Sequence, residues 1–376
     1  MTKIVDFLLE IEKARRTKKQ IFVNNKPIKT RTIADHAFLE AIFVFVYARL
    51  NNLDADKMIK MVLVSNLYQS CENEQEWRHM ISLLPKNTKE EIKKLNQQTL
   101  NGKTKLSRVA QEIVKIEKII HLKKKNLLLY SQILDKEIRN PQILKIKKAL
   151  VEKIDAHKQT SQEDLYDKIA QFLLGVSFLQ SFKRRGWVMT GVRDVETVAQ
   201  HTFHLTIASW ILGEKKGLDP NKTMKLGLIH DLCEIYAGDQ TPYDPLKKIS
   251  KDILKKPARI PKNKKIEWLI KKKQKEWESL KRTTELLPRE IANEIKNLWV
   301  EFEERLTKEG RFVYQLDKVE NVFQATHYWL KDKEFPIVPW WVRIKEVVDD
   351  KLLLDLIAQL DEKFKYHLLK LNGPQK

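Results

Sequence analysis

The chain has 376 residues, a formal net charge of +21 and only two cysteines, Cys71 and Cys233. Two cysteines exclude a disulfide framework, and no apolar run is long enough to span a membrane. The first residues lead directly into an amphipathic helix pattern that contains Asp6 and Glu10. We therefore expect no signal peptide and a cytoplasmic protein.

The composition predicts an all-α protein. Glycine and proline are scarce, with 10 and 12 residues, and long apolar periodicities are more frequent than β-branched runs. Such periodicities are typical of amphipathic helices. A chain of this length is also long enough for two domains, each with its own core.

An internal repeat divides the chain into two copies. With a shift of 165 residues, the stretch 32–36 (TIADH) aligns with 197–201 (TVAQH), and the register holds without a gap to Leu67 and Leu232. The first copy then lacks 38 residues, so that beyond this point the shift becomes 203. The repeat therefore indicates one structural unit that occurs twice.

The repeat also predicts the domain boundaries. Residues 1–154 and 165–376 form the two copies, and the polar stretch 155–164 reads as a linker. We expect two tandem helical bundles that pack against each other like the subunits of a dimer. This arrangement predicts a monomer that contains a pseudo-dimer.

The second copy contains the residues of a metal site. His230 and Asp231 stand side by side in an apolar run, and His201 and Asp317 each lie on an amphipathic helix pattern. Two imidazoles and two carboxylates suit a divalent ion such as zinc, manganese or iron(II). Each of them alone also fits a satisfied polar residue at a helix edge.

Two further carboxylates follow the His-Asp pair. Glu234 comes three residues after Asp231 and four after His230, so it shares their helix face. A carboxylate there can act as a general acid or base. Asp239 follows Gly238 at a predicted helix end. A solvated helix residue and a turn former are the plainer interpretations of Glu234 and Asp239.

Two arginines and a tryptophan precede the metal residues. Arg184 and Arg185 can each bind a phosphate in a bidentate way, and the sequence does not decide between them. Trp187 can stack on a sugar or base, or it can fill the core.

These segments, taken in order, resemble the HD-domain metal phosphohydrolases, and within them the 5′-deoxynucleotidase-like branch. The resemblance covers roughly residues 165 to 365. It is carried by Arg185-Gly186-Trp187-Val188, Glu196 to His201, His230-Asp231-Leu232-Cys233-Glu234, Gly238-Asp239-Gln240-Thr241-Pro242, Leu286-Leu287-Pro288 and Gln315-Leu316-Asp317-Lys318. One position departs from the family, because Gln200 stands where an acid is usual; its amide can still orient an imidazole.

The resemblance implies roles for these residues. His201, His230, Asp231 and Asp317 would bind one divalent ion, which could be Mn, Co, Zn, Mg or Fe. Glu234 and Asp239 would be catalytic, and the substrate would contact Arg184, Arg185, Trp187 and Thr241. The implied reaction removes phosphate from (deoxy)nucleoside 5′-monophosphates. Related HD proteins that share this metal set are phosphodiesterases or nucleotide triphosphohydrolases, and these remain the alternatives.

The first copy retains the pattern without the chemistry. His36 aligns with His201, but Ser65 and Asn66 stand in the places of the His-Asp pair. Gln69 replaces Glu234, and Val114 replaces Asp317. We therefore predict a metal-free pseudo-domain in which His36 is a hydrogen-bonded structural residue.

The positive charge is concentrated in two regions. Residues 1–154 carry 31 Lys or Arg against 17 Asp or Glu, and residues 247–275 carry 13 against 2. The second region can be a solvated helix face, a segment that draws phosphate to the site, or a nucleic-acid contact. Its only aromatic residue is Trp268, which makes the nucleic-acid interpretation the least favoured. A non-catalytic nucleic-acid-binding or assembly protein is the third functional hypothesis.

Overall fold

The computed structural model describes residues 1–155, 163–241, 261–337, 340–341, 344 and 347–371, and these are overwhelmingly helical, as predicted. The first half consists of α1 Thr2–Glu10, α2 Glu12–Arg16, β1 Lys18–Val23, β2 Lys26–Thr32, α3 Ile33–Leu50, α4 Ala55–Ser70, α5 Glu74–Ser82, α6 Lys86–Asn101, α7 Lys105–Glu117, a 3₁₀ turn Lys118–His121, α8 Lys124–Glu137 and α9 Pro141–Asp155.

The second half follows the same general order without the hairpin. It consists of α10 Leu165–Ser177, a 3₁₀ turn Phe178–Gln180, α11 Arg185–Thr190, α12 Val198–Lys216, α13 Pro220–Ile229, α14 Glu234–Ala237, α15 Lys262–Thr284, α16 Arg289–Glu304, α17 Lys308–Lys331 and a last helix Lys351–Leu371.

The β1–β2 hairpin is an exception to the all-α prediction. Its turn is formed by Asn24 and Asn25, which have φ angles of 48° and 60°. A two-residue hairpin turn of this kind needs positive φ at both positions, and asparagine tolerates it better than most residues. At the matching place in the second half, the structure has an isolated antiparallel bridge between Lys183 and Thr197.

Two long helices, α3 and α12, form the centre of the molecule. Every residue of α3 from Ile33 to Ala48 and every residue of α12 from Val198 to Gly213 is buried. The two helices pack against each other, α3 also against α4 and α7, and α12 also against α13 and α17. A helix that is apolar all round must be covered on every side. The two halves therefore share one continuous core.

The N-termini of α3 and α12 meet in a buried polar contact. Thr197 Oγ1 donates to Asp35 Oδ1 at 2.7 Å. The Gln200 amide donates to Thr32 Oγ1 at 2.9 Å and to Asp35 Oδ2 at 3.1 Å. Gln200 therefore joins the two halves, whereas the sequence suggested that its amide orients an imidazole.

Two predicted segments lie largely outside the described residues. Residues 156–162 of the expected linker are among these, and so are residues 242–260, which include the start of the basic stretch 247–275. The rest of that stretch lies on α15, where Lys264, Lys271, Lys273 and Lys275 are exposed. Their exposure fits the interpretation as a solvated helix face. Among the described helices, none combines the length and the apolar character that a bilayer span requires.

Candidate metal centre

Three helices deliver the four predicted metal ligands. His201 lies in the first turn of α12, where the Thr197 and Gln200 side chains form a capping box. His230 caps the C-terminus of α13, and Asp231 follows it directly. Asp317 lies in the middle of α17, which packs against both α12 and α13. The packing of these helices brings together residues that are distant in the sequence.

The ligand atoms of His201, His230 and Asp317 all lie within 4.8 Å of one another, and Asp231 lies beside both imidazoles. His201 Nε2 lies 3.1 Å from Asp317 Oδ1 and 3.9 Å from Asp231 Oδ2. His230 Nε2 lies 3.1 Å from that same oxygen of Asp231. Ligand atoms that share an ion at about 2 Å lie roughly 3–4 Å apart. The spacing is therefore that of ligands around a single cation.

Both imidazoles are oriented through their other nitrogen. His201 Nδ1 donates to Glu320 Oε2 at 2.6 Å, and His230 Nδ1 donates to the Gly227 carbonyl at 2.8 Å. With these bonds, both Nε2 atoms face the ligand cluster. The two Nε2 atoms and Asp317 Oδ1 are buried, with no partner of hydrogen-bond geometry in the described part of the chain. Buried polar atoms rarely lack partners, and the group fits a divalent ion.

The charges around the cluster favour ionised carboxylates. Burial acts to raise the pKa of Asp231, but His230 and Arg184 outweigh it and hold the pKa below its usual value. Burial likewise opposes ionisation of Asp317, and Lys318 and His201 hold its pKa well below the usual range. Both carboxylates are therefore ready to bind a cation at neutral pH.

Glu234 has the opposite behaviour. It is buried at the start of α14, and its Oε2 atom has no hydrogen-bond partner among the described residues. Burial raises the pKa of Glu234 well above its usual value, and the charges of Asp231 and Asp239 add to the effect. A carboxyl group of this kind keeps its proton to a higher pH than an ordinary glutamate does and can donate it.

The structure distinguishes the two arginines. Arg184 NH1 donates to Asp231 Oδ2 at 3.1 Å, and its Nε lies 3.9 Å from Asp239 Oδ2. For Arg185 the contact to the site is made by its backbone N–H, which donates to Asp239 at 2.5 Å. The guanidinium group at the centre is thus that of Arg184, and Asp239 holds the segment that carries it.

The chain is similar to known proteins over the part that contains this cluster. The HD domain family model matches residues 176–337. The human 5′-deoxynucleotidase HDDC2 is 31% identical over 160 residues, which are 43% of this chain and 68% of the human protein. The chain belongs to the HD-domain family. His230 and Asp231 lie within the matched residues, and we call them the HD pair.

Other relatives extend the comparison. The 5′-deoxynucleotidase YGK1 of Saccharomyces cerevisiae is 27% identical over 161 residues, or 42% of this chain and 65% of the yeast protein. A conserved hypothetical protein from Pyrococcus furiosus has a TM-score of 0.38 at 22% identity and covers 52% of this chain and 98% of its own. A predicted metal-dependent phosphohydrolase from Magnetospirillum magnetotacticum has a TM-score of 0.36 at 23% identity. The match covers 53% of this chain and 92% of that protein. These TM-scores are too low for a detailed comparison of folds.

Two residues expected near the substrate have other contacts. Trp187 is 1% exposed, its ring packs on Trp340, and its indole N–H donates to Glu196 at 2.7 Å. This position fits the role in core packing that the sequence left open. Thr241 is half-buried, and its hydroxyl contacts Met189 Sδ at 3.5 Å. Neither contact brings the side chain to the HD pair.

Residues behind the HD site were missed in the sequence. Glu320 orients His201, and Arg15 of α2 forms ion pairs with Glu320 and Glu196. Glu320 had a local signal, because it lies three residues after Asp317 and so shares its helix face. Its equivalent in the repeat, Glu117, is also a glutamate. Arg15 had no signal, because its partners belong to the other half.

In the first half, the polar groups at the position of the HD site bond to one another. His36 Nδ1 bonds to Glu117 at 2.8 Å, and its Nε2 bonds to Thr30 Oγ1 at 2.8 Å. His121 Nε2 bonds to the same glutamate at 2.7 Å. His36, Glu117 and His121 are close enough to hold a metal, but both nitrogens of His36 already have partners. The metal-free state of this half remains a prediction.

Proposed function

We propose that the chain is a metal-dependent phosphohydrolase that removes the phosphate from (deoxy)nucleoside 5′-monophosphates. One observation carries the proposal: three buried ligand atoms, His201 Nε2, His230 Nε2 and Asp317 Oδ1, face each other without hydrogen-bond partners among the described residues. The similarity to 5′-deoxynucleotidases supports the substrate class.

His201, His230, Asp231 and Asp317 would hold the ion. A bound divalent ion supplies Lewis-acid activation of water and neutralises phosphate charge. The chain contributes the orientation of the ligands, since Glu320 and the Gly227 carbonyl fix both imidazoles. Such contacts behind the ligands set the orientation and the basicity of each imidazole ring.

Arg184 is the residue that we assign to the phosphate. Asp231 and Asp239 hold its guanidinium group beside the cluster. A guanidinium group matches two phosphate oxygens with two parallel hydrogen bonds. Arg184 would therefore place the phosphorus atom next to the ligand cluster and offset the charge that the phosphate brings.

Glu234 is the residue that we assign to proton transfer. Water attacks phosphorus, the bond from phosphorus to the 5′-oxygen breaks, and Glu234 gives its proton to that leaving oxygen. The proton that the attacking water loses can return to Glu234. Asp239 assists, since its charge contributes to the raised pKa of Glu234. A positioned acid of this type contributes about 10²- to 10⁴-fold to a rate.

The first half would serve as a built-in partner subunit. The packing of α3 on α12 and the contact among Thr32, Asp35, Thr197 and Gln200 support this role. A fused pair satisfies inside one chain the interface that a homodimer forms between two. Sedimentation should give a monomer. A stable dimer that forms through the second half would contradict the role.

A panel of nucleotides tests the function directly. Nucleoside and deoxynucleoside 5′-monophosphates are incubated with Mn²⁺, Co²⁺, Mg²⁺ or Zn²⁺, and released phosphate is measured. We expect release that depends on the metal and that disappears in Asp231→Ala. Metal-dependent release that persists in this variant would reject the assignment of the ligands.

The products separate the monoesterase from its alternatives. Orthophosphate from a monophosphate identifies a monoesterase. Pyrophosphate or triphosphate released from a nucleoside triphosphate, or cleavage of a diester, identifies one of the other HD reactions. The same panel identifies the metal and the preferred base and sugar.

A further inference from the structure

Arg15 on α2 is a buried cation at the back of the metal centre. Its side chain is 3% exposed. Its NH1 lies 2.6 Å from Glu12 and 3.0 Å from Glu196, and it also bonds to Gln324. Its NH2 bonds to Glu320 Oε1. Two of these carboxylates, those of Glu196 and Glu320, belong to the second half of the chain.

Glu320 links Arg15 to a metal ligand. One carboxylate oxygen of Glu320 accepts from Arg15, and the other accepts from His201 Nδ1 at 2.6 Å. The bond to Nδ1 determines the rotation of the ring, so that Nε2 faces the other ligands. The guanidinium group of Arg15 thus fixes the carboxylate that fixes the imidazole.

We propose that Arg15, from the first half of the chain, is a positioning residue of the metal centre in the second half. It holds Glu320 against His201 and balances the charges of the buried carboxylates around it. The proposal rests on the proposed metal-dependent function, but it concerns how tightly the ion is held. It gives the first half a direct part in the chemistry of the second.

The charges explain why a cation is needed at this place. Glu12, Glu196 and Glu320 are all buried, and three carboxylates out of water are costly without a compensating positive charge. Without Arg15, a proton or a displaced side chain would relieve the repulsion. Either change would weaken the bond from Glu320 to His201, and with it the affinity of the imidazole for a cation.

The first half contributes a guanidinium group to the second half, but the second half contributes no equivalent group to the first among the described residues. Gln180 is the repeat equivalent of Arg15, and its amide donates to the backbone carbonyl of Asp35. Glu117, the equivalent of Glu320, accepts instead from His121 of its own half. The first half thus completes its own His-Glu pair, whereas the second half takes a guanidinium group from the first.

Metal affinity of the full chain tests the proposal. Arg15→Met and Arg15→Lys are compared with the wild type by chelator competition for Mn²⁺ and by the visible spectrum of bound Co²⁺. We expect Arg15→Met to bind Mn²⁺ about 10- to 100-fold more weakly. Arg15→Lys keeps the charge but not the planar fork, and we expect an intermediate loss and an altered Co²⁺ spectrum.

Arg49→Met is the matched control. Arg49 of α3 also pairs across the halves, with Glu294 of α16 at 2.7 and 2.8 Å, but neither residue contacts the metal centre. We expect this variant to bind Mn²⁺ like the wild type. Circular dichroism establishes that each variant is folded. If Arg15→Met does not fold, Arg15→Lys against Arg49→Lys carries the test.

Two outcomes would overturn the inference. One is an unchanged Mn²⁺ affinity and Co²⁺ spectrum in folded Arg15 variants. The other is a loss of equal size in the Arg49 control. Tight metal binding that depends on Arg15, together with an absence of nucleotide hydrolysis, would instead support the inference and reject the proposed substrate.

Discussion

His36 and His201 occupy equivalent positions in the two halves but differ in the partners of their Nε2 atoms. Each lies in the first turn of a buried central helix that begins at a threonine cap. Each bonds through Nδ1 to a glutamate, at 2.8 Å to Glu117 and at 2.6 Å to Glu320. Nε2 of His36 is bonded to Thr30, whereas Nε2 of His201 lacks a hydrogen-bond partner among the described residues. The partner of Nε2 therefore distinguishes His36, a structural histidine, from His201, a candidate metal ligand.

The surroundings of the two histidines differ in the same way. In the first half, Lys19 lies 3.0 Å from Asn66 and 2.7 Å from Glu40, so the polar groups satisfy one another. In the second half, Arg184 makes the corresponding contact to Asp231 at 3.1 Å. A leucine, Leu205, stands at the repeat position of Glu40. In the first half the polar groups pair with one another, whereas in the second half buried ligand atoms lack hydrogen-bond partners among the described residues.

The largest expected effect on activity comes from replacing Asp231 by asparagine, the residue at the equivalent position 66 of the first half. Asp231→Asn retains the shape but removes a charge worth several kcal/mol to metal and transition state, so activity should fall on the order of 10³-fold or more. Phosphate release under saturating metal measures it. The reciprocal variant Asn66→Asp should leave activity unchanged. More than about a tenth of wild-type activity in Asp231→Asn would contradict the ligand assignment.

The proton donor gives the next largest effect. Glu234→Gln removes the proton that the leaving oxygen needs, and kcat should fall about 10²- to 10⁴-fold. Mn²⁺ affinity should change little, because Glu234 is not among the proposed ligands. Gln69→Glu, at the equivalent and exposed position of the first half, serves as the control. A loss of metal in Glu234→Gln would show that Glu234 binds the ion.

The metal-free protein should distinguish the two histidines by pH. Burial and Arg184 act to lower the pKa of His201, but Glu320 and Asp317 outweigh them and raise it to about 10. Burial lowers the pKa of His36 to about 4 despite Glu117. At neutral pH, His201 is therefore protonated and His36 is neutral.

Metal binding must then displace the proton of His201. Between about pH 7 and pH 9 we expect the Mn²⁺ affinity to rise about tenfold per pH unit. Calorimetry in buffers of different ionisation enthalpy should detect about one proton released per ion. An affinity that is independent of pH in this range would show that His201 is already neutral.

The smallest effect is expected at the edge of the interface between the halves. Arg49 and Glu294 are each about one-third exposed, so their pair contributes about 1 kcal/mol at most. Arg49→Met should lower the midpoint of thermal unfolding slightly and leave phosphate release unchanged. A large loss of stability would mean that this pair, rather than the α3–α12 core, holds the halves together.

Much of the candidate site was predictable from the sequence. Spacing predicted that Glu234 shares a helix face with the HD pair. In the structure the helix is interrupted there, because α13 ends at Ile229 and α14 begins at Glu234. Helix patterns placed His201 and Asp317 on elements that could reach the pair. The structure brings His201 and Asp317 together with the pair, and it places the guanidinium group of Arg184 against Asp231.

The remainder depends on tertiary packing. No spacing rule connects Arg15 to Glu320, because the contact forms only when the two halves associate. Trp187 fitted both a substrate role and a core role, and its packing on Trp340 is visible only in three dimensions. The hairpin was missed although the Asn24-Asn25 pair carries a turn signal and the residues of β1 are alternately exposed and buried.

The contact between Asp35 and Gln200 has a consequence for self-association. On a two-fold axis every side chain faces its own replica, so an aspartate would meet an aspartate and an amide an amide. Within this chain an acceptor faces a donor at 3.1 Å. The two surfaces have thereby become complementary rather than identical. If the first halves of two molecules associated through this surface, Asp35 would face Asp35, and the like charges disfavour such a pairing.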